Sequence, residues 1–386
     1  MPDVSVCESR EDGKEQGVKV VIVGAGIVGA AIAYNLTMRP GIDVTVLDAG
    51  AAGSGASGHS FAWTNAFNKQ PRHYHDLNRR SMDLWHRFVA GLGVPAAFSC
   101  HGNLILENTP ERAEALRAQV ETLQAWGYPS RLIGVDELAA LEPALAQHRF
   151  TAACYSPHEG HVDVAPVVRA CLDRAQARGA VVREHAGRVS LRPSATGALD
   201  GVETAAGAVD ADVVVVAAGT EAPSLVAVAG VKVPQAVSPG IVIRTDPRPR
   251  VLETVSLVHL PAIDTKRAEI HLRQLPDGAL HMGQGTQESL DRDDSQAHAN
   301  DLLGRATHYF PALEGATASP QAVGYRPMPA DGLPVLGFTQ PAPNLYVAMM
   351  HSGVTLAPLV GELVALEIAE GVSVDWLAPY RVGRFG

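Results

Sequence analysis

The run Val20-Val21-Ile22-Val23-Gly24-Ala25-Gly26-Ile27-Val28-Gly29 constrains this chain more than any other feature. Val18 to Val23 is short, apolar and β-branched, which predicts a buried strand. Ile27 to Leu36 has helical character, and Asp43 to Leu47 is a second β-branched run. Strand, helix and strand within about 30 residues make a βαβ unit. Gly24 permits the tight turn between strand and helix. Gly26 lets the backbone approach a pyrophosphate, and Gly29 lets the helix pack closely on the strand. The free N–H groups of the first helical turn, at Ile27 and Val28, and the positive end of the helix then face phosphates. Asp48 closes the second strand with Ala49 beside it, and its carboxylate is placed to accept ribose hydroxyls. The residues after Asp48 are Ala49, Gly50 and Ala51, with no Lys or Arg, which disfavours a ribose 2′-phosphate and hence NADP.

Length and charge narrow the class further. The 386 residues allow one large or two medium domains. Lys plus Arg number 31 against 41 Asp plus Glu, a net of −10, so the chain lacks the basic footprint of a general nucleic-acid binder. No run of apolar residues is long enough for a spanning helix, so no transmembrane segment is expected. The 4 cysteines, at positions 7, 100, 154 and 171, form no C-x-x-C pair and are too sparse for a disulfide scaffold. They read as plain thiols in a reducing, cytoplasmic compartment, and no metal-ligand spacing stands out. Residues 1–17 are polar and mixed in charge, which reads as a disordered leader.

Further along, helices are expected over Arg79 to Leu92, Pro110 to Trp126, Val164 to Arg178, Asp294 to Tyr309 and Val354 to Glu370. Val181 to Arg192 and Gly201 to Asp210 alternate like antiparallel strands, and Asp212 to Ala217 is a buried-strand run. Alternating strands with turn signals such as Pro276-Asp277-Gly278 fill the stretch from Val233 to Gly283.

The glycine fingerprint alone does not separate NAD from FAD. Three features favour FAD. The small-residue loop Gly53-Ser54-Gly55-Ala56-Ser57-Gly58-His59-Ser60 would let backbone approach a flat ring. The strand Asp212 to Ala217 ends in Ala218-Gly219, a late return to the sheet. No second G-x-G-x-x-G exists to seat a nicotinamide cofactor, and there is no dithiol, so the substrate itself is the expected reductant.

On the segments VIVGAGIVGAAIAYNL, SGASGHS, VVVVAAG, GYRPMPADGLPVLG and NLYVAMMHSGVTLAPLVGELVALEI, the chain resembles the D-amino-acid oxidase family of flavoenzymes, which includes glycine oxidase, monomeric sarcosine oxidase and the bacterial D-amino-acid dehydrogenases. The resemblance runs from about Val18 to Ala369. It implies an α/β fold with a Rossmann-type FAD-binding domain, residues 18–88, 152–226 and 321–386, and a discontinuous α+β substrate domain on an antiparallel sheet, residues 89–151 and 227–320. It also implies oxidation of a C–N bond in an amino acid or secondary amine by hydride transfer to flavin N5, giving an imine. The electron acceptor is oxygen, a quinone or a carrier protein.

The same resemblance implies the site. Arg326, in a segment similar to the family's L-R-P, would bind the substrate carboxylate with two parallel hydrogen bonds; an ion pair with Asp331 is the structural alternative. His351, Ser352 and Gly353, followed by Val354 and Thr355, would lie against the flavin, where N–H groups and the helix end stabilise charge. Ser54, Ser57, Gly58, His59, Ser60, Val189, Ala218 and Gly219 complete the implied FAD contacts. Tyr325 and His271 join Arg326 and His351 on the substrate side. Alternation puts His271 and Arg273 on one strand face, with His259 nearby; taken singly, each also suits a surface position. Trp63, Asn65 and Phe67 suit either the pocket or the core. The Cys that anchors flavin in sarcosine oxidase is absent here, where Ala322, Val323 and Gly324 stand, and the spacing of His59 from Asp48 is not that of a covalent attachment, so non-covalent FAD is expected. Two other functions stay open: a biosynthetic flavoenzyme acting on a larger nitrogen-containing intermediate, and a flavin-binding subunit of a hetero-oligomeric dehydrogenase.

Overall fold

The computed structural model describes residues 17–285 and 289–386. The expected leader, Gly17 apart, and Cys7 lie outside the described residues. The statements below concern the described residues. The chain divides into two compact units: Met1–Ser54, Ala165–Ala236 and Pro327–Gly386 form the first, Gly55–Val164 and Val237–Arg326 the second. These limits differ from the expected domains, since residues 55–88, 152–164 and 321–326 cluster with the second unit and residues 227–236 with the first. The strand Gly160–Val162 accounts for part of this. It pairs with Trp63–Thr64 and Phe98–Ser99 in one small sheet, a long-range pairing that local pattern does not announce.

In the first unit a six-stranded sheet runs Val335–Phe338, Leu345–Met349, Val213–Val216, Val18–Val23, Ile42–Leu47, Val181–Arg183 in spatial order. All pairs are parallel except the edge strand Val335–Phe338. The buried central strands are runs of Val and Ile, as a sheet covered on both faces requires. The stretch Val181 to Arg192 departs from the antiparallel expectation. Val181–Arg183 joins the parallel sheet beside Ile42–Leu47, since the preceding helix Val164–Ala177 delivers it as a crossover. Antiparallel pairing begins only at Ser190–Pro193, with Leu199–Thr204 and Gly207–Asp210.

The helices Ile27–Leu36 and Gly353–Glu370 pack on each other at very short range. Gly361 permits this: a Cβ there would lie 2.8 Å from the Ala31 carbonyl oxygen and 2.9 Å from Asn35 Nδ2. A residue with a side chain would push the two helices apart.

The second unit is built on an eight-stranded sheet in the order Ala318–Pro320, Val242–Thr245, Leu280–Gln284, Ile270–Gln274, Leu257–Leu260, Asn103–Glu107, Ala152–Ser156, Arg131–Ile133. Every pair is antiparallel except Leu257–Leu260 with Asn103–Glu107. Leu104, Val258, Leu272 and Met282 project to one face of this sheet and join Leu302, Ala306 and Tyr309 of the helix Gln296–Tyr309 in a buried core. The alternate residues His259, His271, Arg273 and His281 therefore stand on the other face.

Gly361→Val is expected to destabilise the fold by about 1–3 kcal/mol, the usual cost of overpacking. A thermal melt followed by circular dichroism checks this, and an unchanged midpoint would contradict the close helix contact.

Candidate active site

In the first unit the glycines at the end of Val18–Val23 hold three backbone segments at contact. Gly24 has φ +108°, and a Cβ on it would lie 2.4 Å from the Ala217 carbonyl oxygen. A Cβ on Gly29 would sit 1.9 Å from the Gly24 carbonyl oxygen. Both positions exclude every residue but glycine. Gly26 caps the helix with extended backbone and makes no side-chain cap, and no acidic residue stands in the first turn. Asp48 accepts hydrogen bonds from the Ala25 N–H at 2.7 Å and the Gly50 N–H at 2.9 Å. It thus ties the second strand to the glycine turn, and its carboxylate oxygens keep further lone pairs for a hydroxyl donor.

The last helix brings a second uncapped N-terminus to the same place. Ser352 precedes it with a left-handed φ of 60° and no side-chain cap. A Cβ on Gly353 would lie 3.1 Å from Val28 Cγ2, so the first turns of the two helices are neighbours. Two positive helix ends side by side on a glycine turn suit the diphosphate of a dinucleotide. His351 Nδ1 lies 3.3 Å from Ser352 Oγ. Ala218 and Gly219 end the strand Val213–Val216, and Gly219 takes φ +57°. The Val189 side chain is buried in the unit's core, which leaves only its backbone for a ligand. Val354 and Thr355 are also buried, and Ala49 is exposed. Ser54 Oγ donates to the Ala51 carbonyl at 2.7 Å, closing the turn after Asp48.

In the second unit the expected substrate residues gather on the polar face of the large sheet. Register pairs His259 with His271, His271 with Gly283, and Arg273 with His281. The His271 ring fills the space over Gly283, where a Cβ would meet its Nε2 at 2.3 Å. The Phe61 ring packs edge-on against His271 at 4.3 Å, and the Trp63 ring lies 4.3 Å from His259. His259, His271 and His281 each keep some accessible surface, yet desolvation dominates their titration, as it does for side chains that line a recess. Burial lowers His259 to about 3, and burial with the Arg273 charge lowers His161 and His281 to about 3. His271 falls well below its ordinary value through burial, His259 and Arg326. All four are neutral at pH 7.

The Arg326 charge acts on this group, helping to lower His271. The Arg326 backbone N–H donates to the Ser238 carbonyl at 2.9 Å, and its guanidinium donates to the Pro239 carbonyl and to Ser238 Oγ. Gly240 makes room, since a Cβ there would lie 3.0 Å from Arg326 Nη2. Asp331, the alternative partner, is instead held by Arg384 at 2.7 Å. Tyr325 is 43% exposed, with Arg292 over its ring at 5.8 Å. The loop of Ser57, Gly58, His59 and Ser60 is held by its own backbone: Gly58 N–H donates to Gly55 at 3.0 Å, His59 Nδ1 lies 3.0 Å from the Gly55 carbonyl, and Ser60 Oγ accepts from Ala62 N–H at 2.9 Å. His59 packs over Gly324, where a Cβ would lie 2.4 Å from its own Cβ. Asn65 and Phe67 are buried, which makes them core residues, and Trp63 is only partly covered.

Sequence reasoning missed Phe61, His161, His281 and Glu159. For His281 a signal existed: reflection about the turn at Asp277 sets it opposite Arg273. Glu159 carried none. It is fully buried and accepts from Tyr128 OH at 2.6 Å, Asn103 Nδ2 at 2.9 Å, Trp63 Nε1 at 3.1 Å and Phe67 N–H at 3.1 Å. Burial raises it to about 7 against those hydrogen bonds, and burial lowers neighbouring Lys69 to about 8 against the pull of Glu159. This carboxylate orients Trp63 and, through it, His259.

A parallel βαβ sheet with a dinucleotide turn, joined in one chain to a β-rich unit bearing a polar sheet face, defines a two-part nucleotide-dependent oxidoreductase. The match to the family of FAD-dependent oxidoreductases spans residues 19–366, and the chain belongs to that family. It is 29% identical over 375 residues to a glycine oxidase of Geobacillus kaustophilus (strain HTA426), covering 95% of this chain and 96% of that protein. It is 27% identical to one of the subunits of an opine oxidase from Rhizobium meliloti, covering 95% of this chain and 98% of that one. The crystal structure of glycine oxidase from Geobacillus kaustophilus superposes with a TM-score of 0.81 at 26% identity, over 95% of this chain and 98% of that chain. The described residues contain no helix long and apolar enough to cross a membrane.

Glu159 generates a pH test. Folded, it holds its proton up to about 7, whereas an unfolded Glu releases it near pH 4.3. Between those values the folded state binds more protons, so raising the pH lowers stability, with a slope of up to roughly 1.4 kcal/mol per pH unit. Denaturant titrations from pH 5 to 7 should show that decline in the wild type and a shallower one in Glu159→Gln. Parallel pH profiles would refute the assignment.

Proposed function

We propose that this enzyme oxidises the C–N bond of a small amine that carries a carboxylate, an amino acid or a secondary amine, to an imine that water then hydrolyses. The observation that supports this best is Arg326 beside a face of neutral histidines. A planar guanidinium grips a carboxylate with two parallel hydrogen bonds, and the Pro239 carbonyl and Ser238 fix its plane. His259, His271 and Trp63 then offer a desolvated floor for the rest of the substrate.

When bound, FAD supplies the electron acceptor, taking a hydride at flavin N5 from the carbon beside nitrogen. The chain does the rest. Gly24, Gly26, Gly29 and the first turns of the two helices would hold the diphosphate, with Asp48 toward the ribose. The N–H groups after His351 and Ser352 would hold negative charge at the helix end. The neutral histidines are too weak as bases to take the amine's proton, so it leaves to solvent. Nearby guanidinium charge and low polarity favour the neutral amine, the form that can release hydride. The rate kcat/KM should therefore rise with pH. The flavin is expected to be held non-covalently, so acid precipitation should release the colour into the supernatant; colour in the pellet would refute this. A compartment that keeps thiols reduced agrees with free Cys100, Cys154 and Cys171.

A second reading is favoured by one relative, the opine oxidase chain of Rhizobium meliloti, whose name marks it as one subunit of an oxidase. An active purified single chain decides against it. The test of the main reading is anaerobic flavin bleaching against a panel of amines and amino acids, followed by air.

Arg326→Ala should keep its FAD and raise KM about 30-fold or more, since removing one partner of a charge-assisted pair costs about 2–5 kcal/mol. Arg326→Lys should rescue poorly. The preference for an amino acid over its decarboxylated amine should vanish in Arg326→Ala. Equal losses on acid and amine, with a lower melting temperature, would leave Arg326 as a structural residue only.

A further inference from the structure

Arg273 is a buried cation that the reaction proposed above does not use. It is 5% exposed, on the same strand face as His271 and two residues along. Its guanidinium has five N–H donors. Nη1 meets His161 Nδ1 at 2.8 Å and the Val162 carbonyl at 3.2 Å, and Nη2 meets His281 Nδ1 at 3.4 Å. Nε is buried with no hydrogen-bond partner. That leaves Nε–H and one Nη2 proton, atoms of the edge that grips a carboxylate side-on.

No carboxylate of the described residues bonds this guanidinium, and the acid whose charge acts on it is Asp163, an exposed residue. Its hydrogen-bond partners are neutral: two histidines and a carbonyl. A buried charge left without a counter-charge is costly, and folds normally pair it. Here the protein surrounds it instead with acceptors that cannot neutralise it. Phe61, part-exposed on its loop, has the guanidinium over its ring at 5.8 Å. The same ring packs on His271, whose titration feels Arg326. Two residues of strand separate His271 from Arg273, about 7 Å. Arg326 thus acts electrostatically on His271, and Arg273 stands two residues along the same strand face.

We propose that Arg273 is a second anion subsite, and that the substrate is an amine bearing two carboxylates: one held by Arg326, the other by Nε and Nη2 of Arg273. This rests on the proposed amine oxidation and names its substrate class. Neutral His161 and His281 act as positioning residues that hold the guanidinium without competing for its charge. A monocarboxylate amine gains nothing from Arg273, so the subsite favours the dicarboxylate over it.

The test uses FAD-loaded enzyme and dead-end ligands read by the shift of flavin absorbance. Glutarate and valerate match in carbon number and differ by one carboxylate. Wild type should bind glutarate at least 10-fold more tightly than valerate. Arg273→Gln should erase that preference while leaving valerate affinity unchanged, and Arg273→Lys should retain part of it. In turnover, iminodiacetate should outperform sarcosine in the wild type but not in Arg273→Gln. No preference in the wild type, or equal loss of both ligands in Arg273→Gln and Arg273→Lys, would overturn the subsite and leave Arg273 structural. If no amine bleaches the flavin while the glutarate preference still tracks Arg273, the oxidase reading fails and the subsite stands.

Discussion

The close approach of three backbone segments at Gly24, Gly29 and Ala217 is the contact on which the first unit depends. A Cβ at either glycine would collide with a carbonyl oxygen at 2.4 Å or less. The collision would move the first helix off the strands, and with it the helix end proposed to hold a diphosphate. Gly361 and Gly353 extend the same logic to the last helix. Glycine therefore does two jobs here: it sets the turn, and it lets two helix ends meet. The Asp48 carboxylate locks the arrangement, because it bonds Ala25 and Gly50 from the neighbouring strand.

The second unit solves a different problem. Its large sheet has one face in the core and one face lined with histidines and arginine. The apolar face is secured by Leu104, Val258, Leu272 and Met282 against the helix Gln296–Tyr309. The polar face is held in place by groups that are buried yet uncharged or singly charged. Desolvation keeps its three histidines, His259, His271 and His281, neutral, so they act as shaped polar surface and not as bases. Glu159 orients Trp63, and Trp63 packs on His259, which faces His271. The charge on this face resides in arginines, which cannot be deprotonated at ordinary pH and so remain available to an anion.

The electrostatics of the two units suit their division of labour. The first presents partial positive charge from helix ends, diffuse and made of backbone. The second presents full positive charge on side chains with a defined plane. A diphosphate needs the former, because many N–H groups can share its charge. A carboxylate on a small substrate needs the latter, because only a fork fixes its orientation.

The sequence alone determined the nucleotide turn, the strand and helix on either side of it, the acid at Asp48, and the placement of His271 and Arg273 on one strand face. Each follows from local spacing: glycines at fixed offsets, a period of two along a strand, β-branched runs. The hairpin turn at Asp277 even encoded the partner His281. Only the tertiary structure decided the limits of the two units, the parallel placement of Val181–Arg183, and the assembly of His161, Phe61 and Glu159 beside the candidate site. These depend on pairings across long sequence separations, such as Gly160–Val162 with Trp63–Thr64 and Phe98–Ser99. Burial decided the rest. A histidine on a strand reads the same in sequence whether water or protein surrounds it, and only the packed chain removes the water that would have let it ionise.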